Sequence, residues 1–493
     1  MTTGYVIGID IGTGSLKAVA VSEAGEAMSS VSKAYPTAYT PDGFNEQQPE
    51  LIWQAFVFCM HELQKKINSP LIAVSLSSAM HSILAIDADG IPITSAIICS
   101  DVRSASIANA LKNSTQGEDF YKVTGTPIHA MSPLCKIKWL KENKPDVFAK
   151  AYKFISIKEY IWWKLFGKYE VDFSIASATG LFDIKNLGWY DKALHWAGIK
   201  PTQLSTPVAT EFSRNETTPV ITSLLNLPAN TPFIIGASDG CLANVGTFAT
   251  LPGTAALTIG SSGAIRVSSK VPILHFPSMP FSYRLDKNSY ICGGPINNGG
   301  IVIQWLLQSF FKIKQPSAKE YTIFFEEINT VAAGCEGLIF LPYLTGERAP
   351  VWDAASCGTF FGLRRHHTAT HMMRAAVEGV CFAIYETLEM IDVIAPIHQL
   401  QVSGGITHSE IWMQMLADIT GKKLCLVQTE DASAVGAAYL ALQTFDIHFE
   451  PSKPPKIIEP CRENHNRHQK NFSVYKLLYP SLKEAMHVHQ LNQ

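Results

Sequence analysis

Two apolar runs open the chain, Val6–Ile11 and Leu16–Val21, with Gly12-Thr13-Gly14-Ser15 between them. β-rich runs on either side of a small-residue turn predict a hairpin. A turn at Ala24-Gly25 leads into a further strand at Ala27–Ala34. From Leu51 to Lys66 the spacing becomes helical and predicts a face made of Leu51, Ala55, Phe58, Cys59 and Leu63. Ile72–Ser77 and Ile83–Ile86 read as short buried strands, so strands alternate with helices and the fold class is α/β. Past the middle the opening pattern returns. Ala256–Val267 is again strand, small-residue turn and strand, and Ile259-Gly260-Ser261-Ser262-Gly263 echoes Ile11-Gly12-Thr13-Gly14-Ser15. Such an echo is the mark of a duplicated architecture. Leu400–Gly405 followed by Ser409–Thr420 reads strand, Gly-Gly, helix. Glu450–Pro460 reads as a linker into a last amphipathic helix near Phe472–Met486, kinked at Pro480.

At 493 residues the chain is too long for one ordinary core, and the expected division is 1–248 and 249–493. With 47% apolar and 17% charged residues it has the composition of large buried cores rather than of disorder. The formal charge is −2 and no basic block occurs, so nothing in the sequence points to nucleic acid or an anionic membrane as a partner. Ten scattered cysteines form neither a disulfide framework nor a zinc motif. The absence of a basic, apolar leader and of any run approaching the ~20 residues that span a bilayer sets the expectation of a cytoplasmic protein.

Asp10 lies inside an apolar strand, where an unpaired carboxylate is costly. It is either satisfied by amides of the neighbouring turn or charged for a bound cation. In the second case Gly12 and Thr13 bring backbone amides to phosphate oxygens and Lys17 reaches the same phosphates. Asp239, in Gly236-Ala237-Ser238-Asp239-Gly240 after the run Pro232–Ile235, suits a positioned general base and equally suits an Asx-turn or helix cap. Gly404-Gly405, and Asn297-Asn298-Gly299-Gly300 with Gln304 beyond, either let a ligand approach a helix N-terminus or simply make tight connections. Met80-His81 follows a strand and could touch substrate or be structural. Asp101 and Arg103 form either a polar cluster at the site or a salt bridge. His366, His367 and His371 lack acidic or cysteine neighbours at metal spacing.

Together these residues resemble the FGGY carbohydrate kinases over essentially the whole chain. Asp10-x-Gly12-Thr13-x-Ser15-x-Lys17 is similar to the family's first phosphate motif. Met131–Asn143, Ser403–Asp418 and Gly337–Pro350 resemble its N-terminal signature, its C-terminal signature and a further hallmark. The resemblance implies an actin-like ATPase fold, two ribonuclease-H-like domains around a central cleft, with sugar mostly on the first domain and ATP mostly on the second. It implies Asp239 as catalytic base, Asp10 as the Mg²⁺-associated carboxylate, and Gly12, Thr13, Lys17, Gly260, Ser261, Gly300, Gln304, Gly404, Gly405 and Ser409 on the nucleotide. Met80, His81, Asp101, Arg103 and His129 fall on the sugar side. Thr124–Leu134 is most similar to the gluconate kinase branch, which implies ATP-dependent phosphorylation of D-gluconate to 6-phospho-D-gluconate. A pentulose kinase is the alternative reading and a silent sugar sensor a remote one. Cys99 stands where many relatives have Trp, and Ser409 where relatives often have Asn. Relatives are often homodimers.

Overall fold

β1 (Tyr5–Ile11) and β2 (Ser15–Ser22) form the expected hairpin, with Asp10 directly opposite Lys17. The coordinates, a computed structural model, describe residues 4–426, 431–447, 449 and 456–491. β3 (Ala27–Ala34) continues the antiparallel ladder beyond β2. On its other side β1 pairs in parallel with β4 (Leu71–Ser78), and β4 pairs in parallel with β5 (Phe233–Ser238), giving the order β5-β4-β1-β2-β3 with Ser213–Arg214 at the far edge. β1 is buried on both faces, which explains its unbroken apolar run. Ile7, Ile9 and Ile11 pack with Leu16, Ala18 and Ala20 beneath α1 (Pro49–Gln64), while Val6, Val19 and Val21 belong to a second core. The buried stripe of α1 is Ile52, Ala55, Phe56, Cys59, Met60 and Leu63. Leu51 and Phe58, expected on that face, are exposed, because the helix is rotated to place Ile52 and Phe56 against the sheet.

Four helices complete what the site needs from this part of the chain. They are α2 (Pro133–Asn143), α3 (Ile157–Phe166), the short α4 (Phe173–Ser177) and α5 (Asp239–Gly246), which starts where β5 ends.

The second unit repeats the opening arrangement. β6 (Thr254–Ile259) and β7 (Gly263–Ser269) form a hairpin, and β6 also pairs in parallel with β8 (Gln399–Gly404), as β1 does with β4. The echo in the sequence is therefore an echo in topology. α6 (Gly300–Phe310), the 24-residue α7 (Ala369–Asp392) and α8 (Glu410–Thr420) pack around this sheet, which β9 (Lys423–Leu426) extends in parallel.

After β9 the chain returns to the first unit as α9 (Ala432–Thr444). Ala434, Ala437, Ala438 and Ala441 fill the second core against Val6, Val19 and Val21. Approach is backbone to backbone: a Cβ on Gly8 would sit 1.8 Å from the Ala434 carbonyl oxygen, and one on Gly436 1.9 Å from that of Leu242. The linear division of the sequence thus meets a discontinuous first unit, closed by Ser269–Cys292 and by α9 as well as by residues up to Phe248. β10 (Lys456–Ile458) pairs with β9 where a linker is expected; residues 450–455 of that stretch lie outside the described ones. The last helix, Arg462–Leu491, begins earlier than its sequence pattern and runs through Pro480. Glu336 lies 3.1 Å from His366, an acidic neighbour that only the fold supplies, and both are exposed. Among the described residues no helix is long and apolar enough to cross a membrane.

Candidate active site

Parallel pairing aligns the C-terminal ends of β1, β4 and β5: Asp10 lies opposite Ser77, and Ser77 opposite Ala237. Asp10 Oδ1 accepts a hydrogen bond of 2.8 Å from Ser77 Oγ, whereas the Gly12 amide donates to Ser15 O within the turn. Asp10 is held by the next strand. Burial, reinforced by the charge of Asp239, raises its carboxyl to about 7 despite the Ser77 hydrogen bond. Asp239 is the first residue of α5, and the capping duty falls on Ser238, whose Oγ accepts from Cys241 N at 3.4 Å. The Asp239 carboxylate accepts the N–H of Gly240 at 2.6 Å. Just before it the chain bulges. β5 loses register with β4 between Ile234 and Ala237, and Gly236 at φ +70° passes so close that a Cβ would lie 1.9 Å from Leu76 O.

The hairpin turn is tied back by its carbonyls. Gly12 O accepts from Tyr35 OH, Thr13 O from Gln47 Nε2 and Gly14 O from Tyr35 N. Thr13 and Gly14 are exposed, and a Cβ on Gly14 would meet nothing within 4 Å. The turn therefore presents its amides to an open face, as an anion-binding nest does. Lys17 is paired with Asp431 at the start of α9, a partner that sequence spacing does not reveal. Asp10, Asp239 and Asp431 with Lys17 make three carboxylates against one ammonium. This excess of hard oxygen donors fits Mg²⁺.

The sugar-side candidates gather around a residue that sequence reasoning passed over. Lys136 on α2 is fully buried, and its Nζ donates to the carbonyls of His81 (2.7 Å), Ile98 (2.7 Å) and Ile97 (3.3 Å). Burial pushes its ammonium down to about 8, opposed by Cys99 and Asp101. One side chain thus fixes the Met80-His81 segment relative to the strand end before Cys99-Ser100-Asp101. A lysine in a helix reads as a surface residue; Lys136 lies within the Met131–Asn143 signature, but its burial is what reveals its role. His81, at φ +68°, meets Ala178 O through Nδ1 at 2.8 Å and Tyr283 OH through Nε2 at 3.5 Å. His129 Nδ1 accepts from Met131 N at 3.2 Å. Arg103 forks onto Asp101 (Nε–Oδ1 2.9 Å, Nη2–Oδ2 2.8 Å) and reaches Glu46 at 2.7 Å, with Phe44 and Trp139 against its guanidinium. Any contact of Arg103 with substrate has to share a guanidinium already held by two carboxylates.

In the second unit the nucleotide candidates collect at the ends of β6 and β8, where Ile259 lies opposite Gly404. Gly300 N, at the start of α6, donates to Gly260 O at 2.7 Å, and Gly299 N to Ser261 O at 3.0 Å. A Cβ on Gly300 would stand 2.9 Å from Gly260 O, so glycine is what lets the helix meet the turn. Gly404, at φ +87°, passes under Ile259 O, where a Cβ would lie at 2.5 Å. Ser409 caps α8, accepting from Trp412 N at 3.2 Å. Gly260, Ser261, Gly404, Gly405 and Gln304 are exposed, and Gln304 stands one turn beyond Gly300. The leading amides of α6 are spent on the Gly260 and Ser261 carbonyls, so what this surface offers phosphates is the exposed Gly260-Ser261 turn and the Gly404-Gly405 corner before α8.

Comparison with known proteins agrees with this geometry. Residues 5–246 match the N-terminal domain of the FGGY family of carbohydrate kinases, and residues 255–444 its C-terminal domain. A gluconokinase of Bacillus licheniformis is 41% identical over 451 residues, covering 89% of this chain and 87% of its own. Among solved structures, a gluconate kinase from Lactobacillus acidophilus superposes with a TM-score of 0.93 at 34% identity, covering 97% of this chain and 98% of its own. A ligand-bound xylulose kinase from the same organism gives 0.92 at 34% identity with the same coverage. The chain belongs to the FGGY family of carbohydrate kinases, with that family's two-domain, actin-like fold.

Proposed function

We propose that the chain transfers the γ-phosphoryl group of ATP to the terminal hydroxyl of D-gluconate, giving 6-phospho-D-gluconate and ADP, as a cytoplasmic enzyme acting on free small molecules. The observation that carries the reaction is the Asp10–Asp239 carboxylate pair at the ends of β1 and β5, the two strands that flank β4. Phosphoryl transfer asks a protein mainly for positioning and charge neutralisation. Asp239 takes the proton of the attacking hydroxyl as its oxygen bonds to phosphorus and the bond to ADP breaks. Lys17 and the Thr13-Gly14 amides are the first unit's groups for phosphate oxygens. The Gly260-Ser261 turn, Gln304 on α6 and the Gly404-Gly405 corner hold the nucleotide on the second. Mg²⁺, when bound, neutralises phosphate charge, and Asp10, oriented by Ser77, is the side chain that would hold it.

The acceptor rests on the 41%-identical gluconokinase and on two histidines. In the neutral ring, His129 spends Nδ1 as an acceptor, so Nε2 carries the hydrogen and suits a carboxylate. His81 uses Nδ1 to donate to Ala178 O, so Nε2 is an acceptor that Tyr283 OH already faces at 3.5 Å and that a substrate hydroxyl would have to share. The equally similar xylulose kinase structure keeps a pentulose as the second reading. Coupled ADP release, measured with gluconate, D-xylulose, L-xylulose, L-ribulose and glycerol, decides between them. Gluconate is expected to give the highest kcat/KM. A preferred pentulose overturns the acceptor and leaves the kinase standing, and no sugar-stimulated ADP from any acceptor overturns both.

A further inference from the structure

Behind Asp239 lies a buried ion pair that the phosphoryl-transfer chemistry does not use. Lys158 on α3 and Asp172 before α4 are 2% and 0% exposed, with Nζ and Oδ2 2.8 Å apart. Asp172 Oδ1 accepts from Ser174 N, Ile175 N and Ser174 Oγ, the last at 2.6 Å. From here two arms converge on one peptide group. Lys158 Nζ donates to Ala237 O at 3.1 Å, and Ser238 N donates to Ser174 Oγ at 2.6 Å. Ala237 C=O and Ser238 N–H are the two ends of the same planar unit, so the ring Lys158–Asp172–Ser174 grips it from both sides. Asp239 is the residue after Ser238. The grip falls just past the bulge, where β5 resumes pairing with β4 at Ala237–Ser77 and Ser238–Ser78, so the ring adds to the ladder at the first peptide after the lost register.

A buried pair of this kind is not explained by stability, since well-packed apolar residues often serve as well. We propose that Lys158, Asp172 and Ser174 are positioning residues that orient the Ala237–Ser238 peptide and, through it, aim the Asp239 carboxylate at the acceptor hydroxyl. The proposal rests on Asp239 being the base. A base displaced by about 1 Å can lose on the order of 10²-fold in rate.

A double-mutant cycle on the full-length enzyme tests it. Ser174→Ala removes the hydroxyl that joins the two arms and is expected to lower kcat about 10- to 100-fold, with the KM for ATP unchanged. In an Asp239→Asn background the same substitution should change turnover less than about 2-fold, because a residue acting through Asp239 has nothing left to position. Multiplying losses, or full activity in Ser174→Ala, overturns the proposal. Near-normal turnover in Asp239→Asn alone overturns the base assignment instead. If Ser174→Ala does not fold, Ser174→Cys, which fills the site with a slightly larger sulfur and weakens both hydrogen bonds, is read the same way. Failure of both to fold makes the cluster purely structural and overturns the positioning role.

Discussion

A neutral histidine offers one donor and one acceptor; Met131 N takes the acceptor of His129 and leaves its hydrogen on Nε2, whereas His81 spends Nδ1 on Ala178 O and its Nε2 faces Tyr283 OH. If the acceptor is a sugar acid, His129→Ala should raise the KM for gluconate about 10- to 150-fold, the worth of a hydrogen bond to a charged group. It should leave the KM for ATP alone, and steady-state kinetics with each substrate varied checks this. Arg103 belongs to a different class of residue. Its side chain is 5% exposed and that of its partner Asp101 is 0% exposed, so truncating either strands a buried charge. Arg103→Ala and Asp101→Ala should each cost about 3–5 kcal/mol of stability, seen as comparable falls in Tm. A KM change for gluconate without a fall in Tm would show that the guanidinium serves substrate and not structure. The sequence made this alternative visible, since Asp101 and Arg103 stand two apart, but Glu46, Phe44 and Trp139 reach the same guanidinium only through the fold.

At the scale of elements, α3 shows how a helix start can carry pH dependence. Ser156 and Glu159 form a reciprocal capping box, with Ser156 N donating to Glu159 Oε2 at 2.6 Å. Burial raises the Glu159 carboxyl to about 7, against the hydrogen bonds of the Ser156 capping box. A carboxyl raised on folding binds its proton more tightly in the native state. Its stabilisation is full below the ordinary glutamate range and is lost as pH rises through about 7. Glu159→Gln removes this contribution, so its Tm should change less than the wild type's between pH 5 and 8. Parallel Tm profiles for the two proteins would show that Glu159 does not titrate there. The helix itself was not among the elements the sequence predicted. The hairpins and α1 were legible because their apolar residues recur at periods of two and about 3.6. The facing of α1 was not, because Leu51 and Phe58 extend the apolar stripe beyond the part the sheet covers. Asp239 was legible as either base or cap, and only the presence of Ser238 in the cap position separates those roles. Ser77, Lys136 and Asp431 were not legible, since each matters through a partner at least 38 residues away.

At the scale of the whole molecule, the first unit is completed by a helix that is synthesised long after its preceding segments, which end at Phe248 and Cys292. The pattern of alanines in α9 marks a buried helix, but nothing local says that it covers β1 rather than the neighbouring β9. What decides is contact at the backbone: Gly8 and Gly246 have no side chain, and each lets α9 come closer than a Cβ would permit. Residues 1–248 alone would therefore leave Val6, Val19, Val21, Ile234 and Leu242 without their cover of Ala434, Ala437, Ala438 and Ala441. Such a fragment is expected to keep far-UV helix and strand signals while losing near-UV signal and binding ANS, the marks of a core that has collapsed without packing. Adding both Ser269–Cys292, which brings Phe281, Tyr283 and Ile291 to the same core, and α9 through flexible linkers should restore the near-UV signal, and omitting α9 alone should not. Gly8→Ala in the full chain should mimic the loss, because its methyl would overlap the Ala434 carbonyl, and overpacking of this kind costs about 1–3 kcal/mol or more. A fragment of residues 1–248 that unfolds cooperatively with native near-UV signal would show that α9 decorates the first unit and does not complete it. If α9 does complete it, the Asp10–Asp239 pair, whose strands lie in that sheet, and Lys17, whose partner Asp431 begins that helix, reach their final arrangement only after α9 has been made.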